Sequence, residues 1–187
     1  PDNALTRTNE HFRWGNHGGV LMLDCDNEAL SKADFVNAIS EVLQLDKLAY
    51  IWRPSSSSYI YNDNEQINGL TGQRLYIFIQ DANDIPRAGK VLFEQLWLKG
   101  HGYYDISTVG SYLPRSPIDA AVFQPSRLDF AAGSYCILPL EQRPVATECH
   151  TGQPLDTKAT LPDLTTKQKK ALAEIMKNAK APYADET

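Results

Sequence analysis

Two aspartates one residue apart, Asp24 and Asp26, close the apolar run Val20-Leu21-Met22-Leu23. A run of this composition reads as a buried strand. Side chains alternate across a strand, so both aspartates leave on one face while Cys25 points to the other and packs as a small core residue. Two carboxylates this close repel each other unless a cation or basic groups lie between them. Hard oxygen ligands of this kind suit Mg²⁺ or Mn²⁺, which keep waters and bind through a few carboxylates plus substrate phosphates. A solvated strand end leading into a turn has the same pattern, so the other candidates must decide between the two readings.

Arg74, Tyr76 and Phe78 alternate along a second strongly β-like run, residues 74–79, and share one of its faces. Paired carboxylates for metal, a cation for phosphates and flat rings for a base are the requirements of nucleotidyl transfer. Two metals there clamp the attacking 3′-hydroxyl and the leaving pyrophosphate. Ordinary core packing accounts for Tyr76 and Phe78 equally well. The serine run Ser55-Ser56-Ser57-Ser58 can offer hydroxyls and backbone N–H groups to a triphosphate, although it lacks the Gly-Lys-Ser/Thr ending of a P-loop. Arg115 with Asp119, and Arg127 with Asp129, set cations near further carboxylates, a pattern shared with surface ion pairs. Cys149-His150 with Cys136 lacks the paired Cys-x-x-Cys form of a zinc site. His101 between two glycines reads as structural, and His11 and His17 follow no pattern. No Gly-x-Ser-x-Gly, His-Glu-x-x-His or dinucleotide-binding glycine motif is present.

The elements that must position these residues follow from periodicity. Residues 1–19 are a polar lead-in ending in glycines. Ser31 with Asp34 starts a helix, whose face is Phe35, Ile39, Val42 and Leu43 and which runs through Gln44. Residues 48–53 form a second strand and pass into the Pro-Ser loop. Residues 74–79 are the third strand. Asp84 is expected to cap a second helix with Pro86 in its first turn, with Val91, Leu92, Leu96 and Trp97 or Leu98 as its apolar face and Gly100 as its end. Residues 103–107 make a fourth strand. The order βαββαβ predicts an α+β, ferredoxin-like fold of RNA-recognition-motif (RRM-like) type, with the first and third strands as central neighbours. Residues 110–145 continue as short strands and proline-rich turns. The expected organisation is a core over 1–146, a polar linker-like segment over 147–163, and a helix and tail over 164–187 that acts as a connector or docking element.

With 187 residues the chain can bury a real core as one domain. A net charge of −5 argues against a passive histone-like binder. It leaves room for a local basic groove beside an acidic site. Three cysteines at irregular spacing give no disulfide framework, and a reducing cytoplasm is the expected compartment. No apolar stretch approaches the ~18 residues of a membrane span, so no membrane association is expected. A chain opening on Pro1 reads as a piece of a longer protein.

Taken in series, Leu23-Asp24-Cys25-Asp26, Arg53-Pro54-Ser55-Ser56-Ser57-Ser58 and Gly72-Gln73-Arg74-Leu75-Tyr76 resemble the primase-polymerases of archaeo-eukaryotic primase type. The branch they resemble is the one carried by plasmids, phages and integrated elements. Asp84-Ile85-Pro86-Arg87, Leu96-Trp97-Leu98-Lys99-Gly100-His101-Gly102, Arg115 to Asp119 and Arg127-Leu128-Asp129-Phe130 extend the resemblance over roughly residues 5–145. It implies an RRM-like catalytic core, Mg²⁺ or Mn²⁺ held by Asp24, Asp26 and a third aspartate, and template-dependent primer synthesis in the replication of a mobile element. Asp119 after Ile118 matches the third ligand best, with Asp105 and Asp129 as rivals. The family's Gly-x-His stands here as Gly72-Gln73-Arg74, and arginine can grip a phosphate bidentately. Arg127 matches an arginine near the nucleotide, and Arg115, Ser57 and Ser58 join it as candidates. The implied partners are a single-stranded DNA template, nucleoside triphosphates and a helicase domain elsewhere in the full-length protein. A non-catalytic single-strand binder using Tyr76 and Phe78, and a degenerate replication-initiator paralogue, are the readings from other classes.

Overall fold

A computed structural model describes residues 5–143 and 145–181. Pro144 and the extreme ends of the polar lead-in and of the C-terminal tail lie outside the described residues. The fold is α+β with antiparallel sheets. Along the chain come β1 (Gly19–Cys25), α1 (Lys32–Leu43), β2 (Tyr50–Pro54), β3 (Ile60–Asn62), β4 (Glu65–Asn68), β5 (Gln73–Ile79) and α2 (Ile85–Leu98). They are followed by β6 (Tyr103–Ile106), β7 (Tyr112–Arg115), β8 (Leu140–Gln142), β9 (Glu148–His150), α3 (Thr157–Thr160) and α4 (Thr166–Lys180).

The main sheet has the order β1-β5-β2-β9. Alternation divides it as the sequence predicts. Leu21 and Leu23 of β1 and Leu75 and Ile77 of β5 are fully buried against Phe35, Ile39, Leu92 and Leu96 of the two helices. Each such side chain contributes about 1.5–3 kcal/mol by leaving water. Cys25 lies on this face, and burial pushes its thiol up to about 11. The opposite face carries Val20, Met22 and Asp24 of β1 in register with Phe78, Tyr76 and Arg74 of β5. Ser31 caps α1 by accepting the Asp34 N–H, as expected, and Gln44 closes it in the left-handed region at φ 51°.

Three differences from the sequence reading have physical causes. First, the fourth expected strand, β6, does not flank β1, which is left as the sheet edge. It pairs with β7 in a separate hairpin whose turn takes Gly110 at φ 78°. Near Asp24 the edge of β1 instead receives the Asp119 N–H on the Asp24 carbonyl at 2.8 Å. Second, residues 148–161 are anchored to the core at a few positions. β9 extends the main sheet beside β2, Leu155 and Leu161 are each 1% exposed, and Leu155 exchanges backbone bonds with Phe78 and Gln80. These leucines follow no helical or strand period, so polar composition concealed them. Third, Asp84 sits at the start of α2 without accepting a backbone cap bond. Its two oxygens take the Arg87 Nε and Nη2, each at 2.6 Å, and the Thr157 hydroxyl.

At Gly89 of α2 a Cβ would come 2.4 Å from the Phe123 ring. Glycine there lets the 3-10 turn Ala120–Val122 settle onto α2, which brings the preceding Asp119 alongside β1. α4 opens with a complete capping box, Thr165 with Gln168, and packs against α2. Among the described residues no helix is long and apolar enough to cross a membrane.

Candidate active site

The end of β1, the segment leading into Asp119 and the β6–β7 hairpin enclose a cleft of about 730 Å³. Asp24, Asp26, Asp105, Arg115 and Asp119 line it. The strand alternation delivers Asp24, 8% exposed, while Asp26 is exposed just past the strand. Asp119 is delivered by its backbone bond to Asp24 and by the 3-10 turn, whose Ala121 N–H its carboxylate accepts at 2.9 Å. Arg127 approaches Asp119 at 3.7 Å, and Arg115 approaches Asp105 at 3.7 Å.

The electrostatics of Asp24 are set from β5. Arg74 is its cross-strand partner and donates from Nε to Asp24 Oδ1 at 3.0 Å. The same guanidinium donates from Nη1 to Asp129 Oδ1 at 2.7 Å and to the Phe130 carbonyl at 3.1 Å. The Tyr76 hydroxyl donates to the other Asp129 oxygen at 2.7 Å. Burial pushes the Asp24 carboxyl above its ordinary value. Arg74 opposes the rise, and the charges of Asp26 and Asp119 add to it. Burial also works against the charge of Arg74, but Asp24 and Asp129 outweigh it and hold the guanidinium above its usual value. Burial and the bond to Asp129 push the Tyr76 hydroxyl up to about 12.

Of the expected site residues, Asp24, Asp26, Asp119 and Arg115 meet in the cleft, with Arg127 at its rim on Asp119. Asp105 shares the cleft. Asp129 does not line it and lies across Arg74 instead. Ser57 and Ser58 are not brought there. Ser58 is 1% exposed and ties its loop to Thr71 and Gly72, accepting the Thr71 N–H at 3.1 Å and donating to the Gly72 carbonyl at 3.3 Å. Ser57 bonds the Thr71 hydroxyl at 2.8 Å. His150 stacks on Tyr50 with ring centroids 4.2 Å apart.

Sequence reasoning passed over Arg53. It is the cross-strand partner of Arg74 on the opposite side of β5, donating to the Pro54 carbonyl at 3.4 Å and to the Ala131 carbonyl. Like charges directly opposite are destabilising, which gives the acids around Arg74 a structural reason. The available signal was alternation in β2, which turns Tyr50 and Trp52 inward and Arg53 outward.

Among the described residues no three His, Cys, Asp or Glu side chains are drawn together as a ready metal cage. The donor set nonetheless fits a hard cation. Magnesium retains waters and uses one or two carboxylates plus substrate phosphates, and Asp24, Asp26 and Asp119 line one cleft.

The chain matches no family model, no curated protein and no solved structure.

Proposed function

We propose that the protein is the catalytic domain of a DNA primase or primase-polymerase, a nucleotidyltransferase acting in the replication of a mobile genetic element. The observation that carries the reading is the meeting of Asp24, Asp26 and Asp119 in one cleft, beside Arg74 on the neighbouring strand. Asp119 lies far from Asp24 and Asp26 in sequence, and a backbone bond from its N–H to the Asp24 carbonyl at 2.8 Å brings it beside them. The adjacency of β1, β5 and β2, with both helices on one face, supports an RRM-like core, with β6 displaced from its expected place and β9 added at the far edge.

In this reading Asp24, Asp26 and Asp119 hold Mg²⁺ or Mn²⁺, which when bound would supply charge for the attacking 3′-hydroxyl and the leaving pyrophosphate. Arg74 holds Asp24 in place and is the proposed contact for substrate phosphates. Arg115 and Arg127 add positive charge at the rim. A single-stranded DNA template and nucleoside triphosphates are the proposed substrates, and a helicase domain in the full-length protein is a proposed partner. The test is primer synthesis or extension on single-stranded DNA with Mn²⁺ and nucleotides, compared between wild type and Asp24→Ala. Activity in the first and none in the second supports the reading. Wild-type protein inert with every nucleotide and metal overturns it.

One observation favours a second reading, a non-catalytic single-strand binder. Phe78, 41% exposed on the open sheet face, is placed to stack on a base, and the Asp24 carboxylate already has Arg74 as its counter-charge. Metal-independent binding of single-stranded DNA without synthesis would select it.

A further inference from the structure

The open face of the main sheet is crossed by residues 127–134, and the crossing has an unusual construction. Its ends are tied down. Arg127 meets Asp119 at one end. At the other, the Ser134 hydroxyl donates to the Ser56 carbonyl and its N–H donates to Gln142 Oε1 at 2.8 Å. Gln142 Nε2 in turn donates to the Ser56 and Ser58 carbonyls at 2.8 and 2.9 Å. The middle has no apolar anchor, since Leu128 is 51% and Phe130 66% exposed. What holds it is oxygen on cations. Asp129 and the Phe130 carbonyl sit on Arg74, and the Ala131 carbonyl sits on Arg53.

Arg53 and Arg74 stand directly opposite each other on adjacent strands, a pair of cations on one face of the sheet. Arg53, Ser55, Ser58 and Gly133 line a cavity of about 170 Å³ against this strap. A polyphosphate offers the same chemistry as the strap, an array of oxyanions for bidentate guanidinium bonds. We propose that Arg53 and Arg74 form a polyphosphate subsite for the nucleoside triphosphate, and that the strap fills it in the free protein with Asp129 as a carboxylate stand-in. Arg53 thereby becomes a nucleotide-binding residue, and displacement of Asp129 becomes a cost of nucleotide binding that the chain sets for itself. The inference rests on the nucleotide-binding reading above and goes beyond it in naming the second arginine and the occupant that competes.

The test is calorimetric titration of the full chain with inorganic tripolyphosphate, without metal or template, so that it reads independently of polymerase activity. Asp129→Asn removes the competing charge at constant shape, and Tyr76→Phe releases the other Asp129 oxygen while keeping both arginines. Both variants, with thermal melts like wild type, should bind tripolyphosphate several-fold more tightly. Arg53→Ala in the Asp129→Asn background should lose that gain. A parallel titration with a dT oligonucleotide separates phosphodiester from polyphosphate binding. Unchanged or weakened tripolyphosphate affinity in Asp129→Asn and Tyr76→Phe overturns the proposal, as does a gain confined to the oligonucleotide. Should primer synthesis fail while these gains appear, the subsite stands and the polymerase reading falls. Primer synthesis without the gains overturns this proposal and leaves the polymerase reading standing.

Discussion

The arginine–aspartate pairs Arg87–Asp84 and Arg74–Asp24 are built to opposite ends. Between α2 and the following core segment, Asp84 takes both arms of Arg87 at 2.6 Å and the Thr157 hydroxyl besides, and Arg87 also reaches the Leu161 carbonyl at 2.7 Å. The bonds from Arg87, opposed by burial and joined by the one from Thr157, hold the Asp84 carboxyl below its ordinary value. At the cleft, Asp24 receives a single bond from Arg74, and Asp129 draws on the same guanidinium. Burial therefore wins, and the Asp24 carboxyl lies above its ordinary value. The first pair satisfies its charges and closes a seam between α2 and residues 157–163. The second leaves negative charge in excess where four aspartates line one cavity, as a cation site requires.

If that contrast is right, alanine at the two aspartates should give opposite phenotypes. Asp24→Ala should abolish primer synthesis, a loss of at least about 10³-fold or ~4 kcal/mol of barrier, while the protein still melts cooperatively near the wild-type temperature. Asp84→Ala should leave the cleft chemistry in the folded fraction and cost about 3 kcal/mol of stability, the scale for breaking a buried pair by removing one partner. For a domain of this size that is roughly a 6–12 °C fall in Tm. A calorimetric melt beside the activity assay checks both, and a large Tm loss in Asp24→Ala would erase the distinction.

The pairs should also differ in the sign of their pH dependence. Asp84, with its folded pKa lowered, contributes stability above the ordinary carboxylate range and loses it as pH falls through the folded value. Asp84→Asn should therefore flatten the acid limb of the stability curve. Asp24, with its folded pKa raised, favours the fold most below that range, and the contribution is lost as pH rises through the folded value. Asp24→Asn should accordingly melt no lower than wild type at pH 7, and the difference between them should shrink on acidification. Urea unfolding between pH 3 and 8 measures both.

The smallest expected effect concerns Arg74. Arg74→Ala should weaken nucleotide binding by about 10-fold, the loss of one charge-assisted contact, and Arg74→His should recover part of it. Binding by wild type should vary little between pH 6 and 8 on account of this residue, whereas Arg74→His should gain a titration in that window. Equal affinities for all three proteins would confine Arg74 to positioning Asp24.

Much of the site's frame was legible because it is local. Alternation alone placed Asp24 opposite the core residues Leu23 and Cys25, and put Arg74, Tyr76 and Phe78 on one face of β5. What stayed hidden depends on contacts between distant segments. Nothing in the spacing of Tyr103 to Ile106 says that β6 turns back on β7 and leaves the edge of β1 to Asp119. The polar run 147–163 carries its buried leucines without a period. Arg53 looked like the end of a strand until register set it against Arg74, and Asp129 looked like a rival ligand until the strap laid it across the guanidinium. Ser58 illustrates the reverse case, in which a residue type suited to phosphate is spent on tying its own loop.

In the proposed function Asp24, Asp26 and Asp119 form one cation site for nucleotidyl transfer. Its most direct test is a crystal structure of the protein with Mn²⁺ and a non-hydrolysable nucleoside triphosphate, phased to reveal manganese by anomalous scattering. Manganese is expected between these three carboxylates, bridged to the triphosphate, with paired ions about 3.5–4 Å apart if both positions fill. Manganese bound elsewhere, or a nucleotide seated away from Asp24 with the Asp24–Arg74 pair unchanged and no ion beside it, would contradict it.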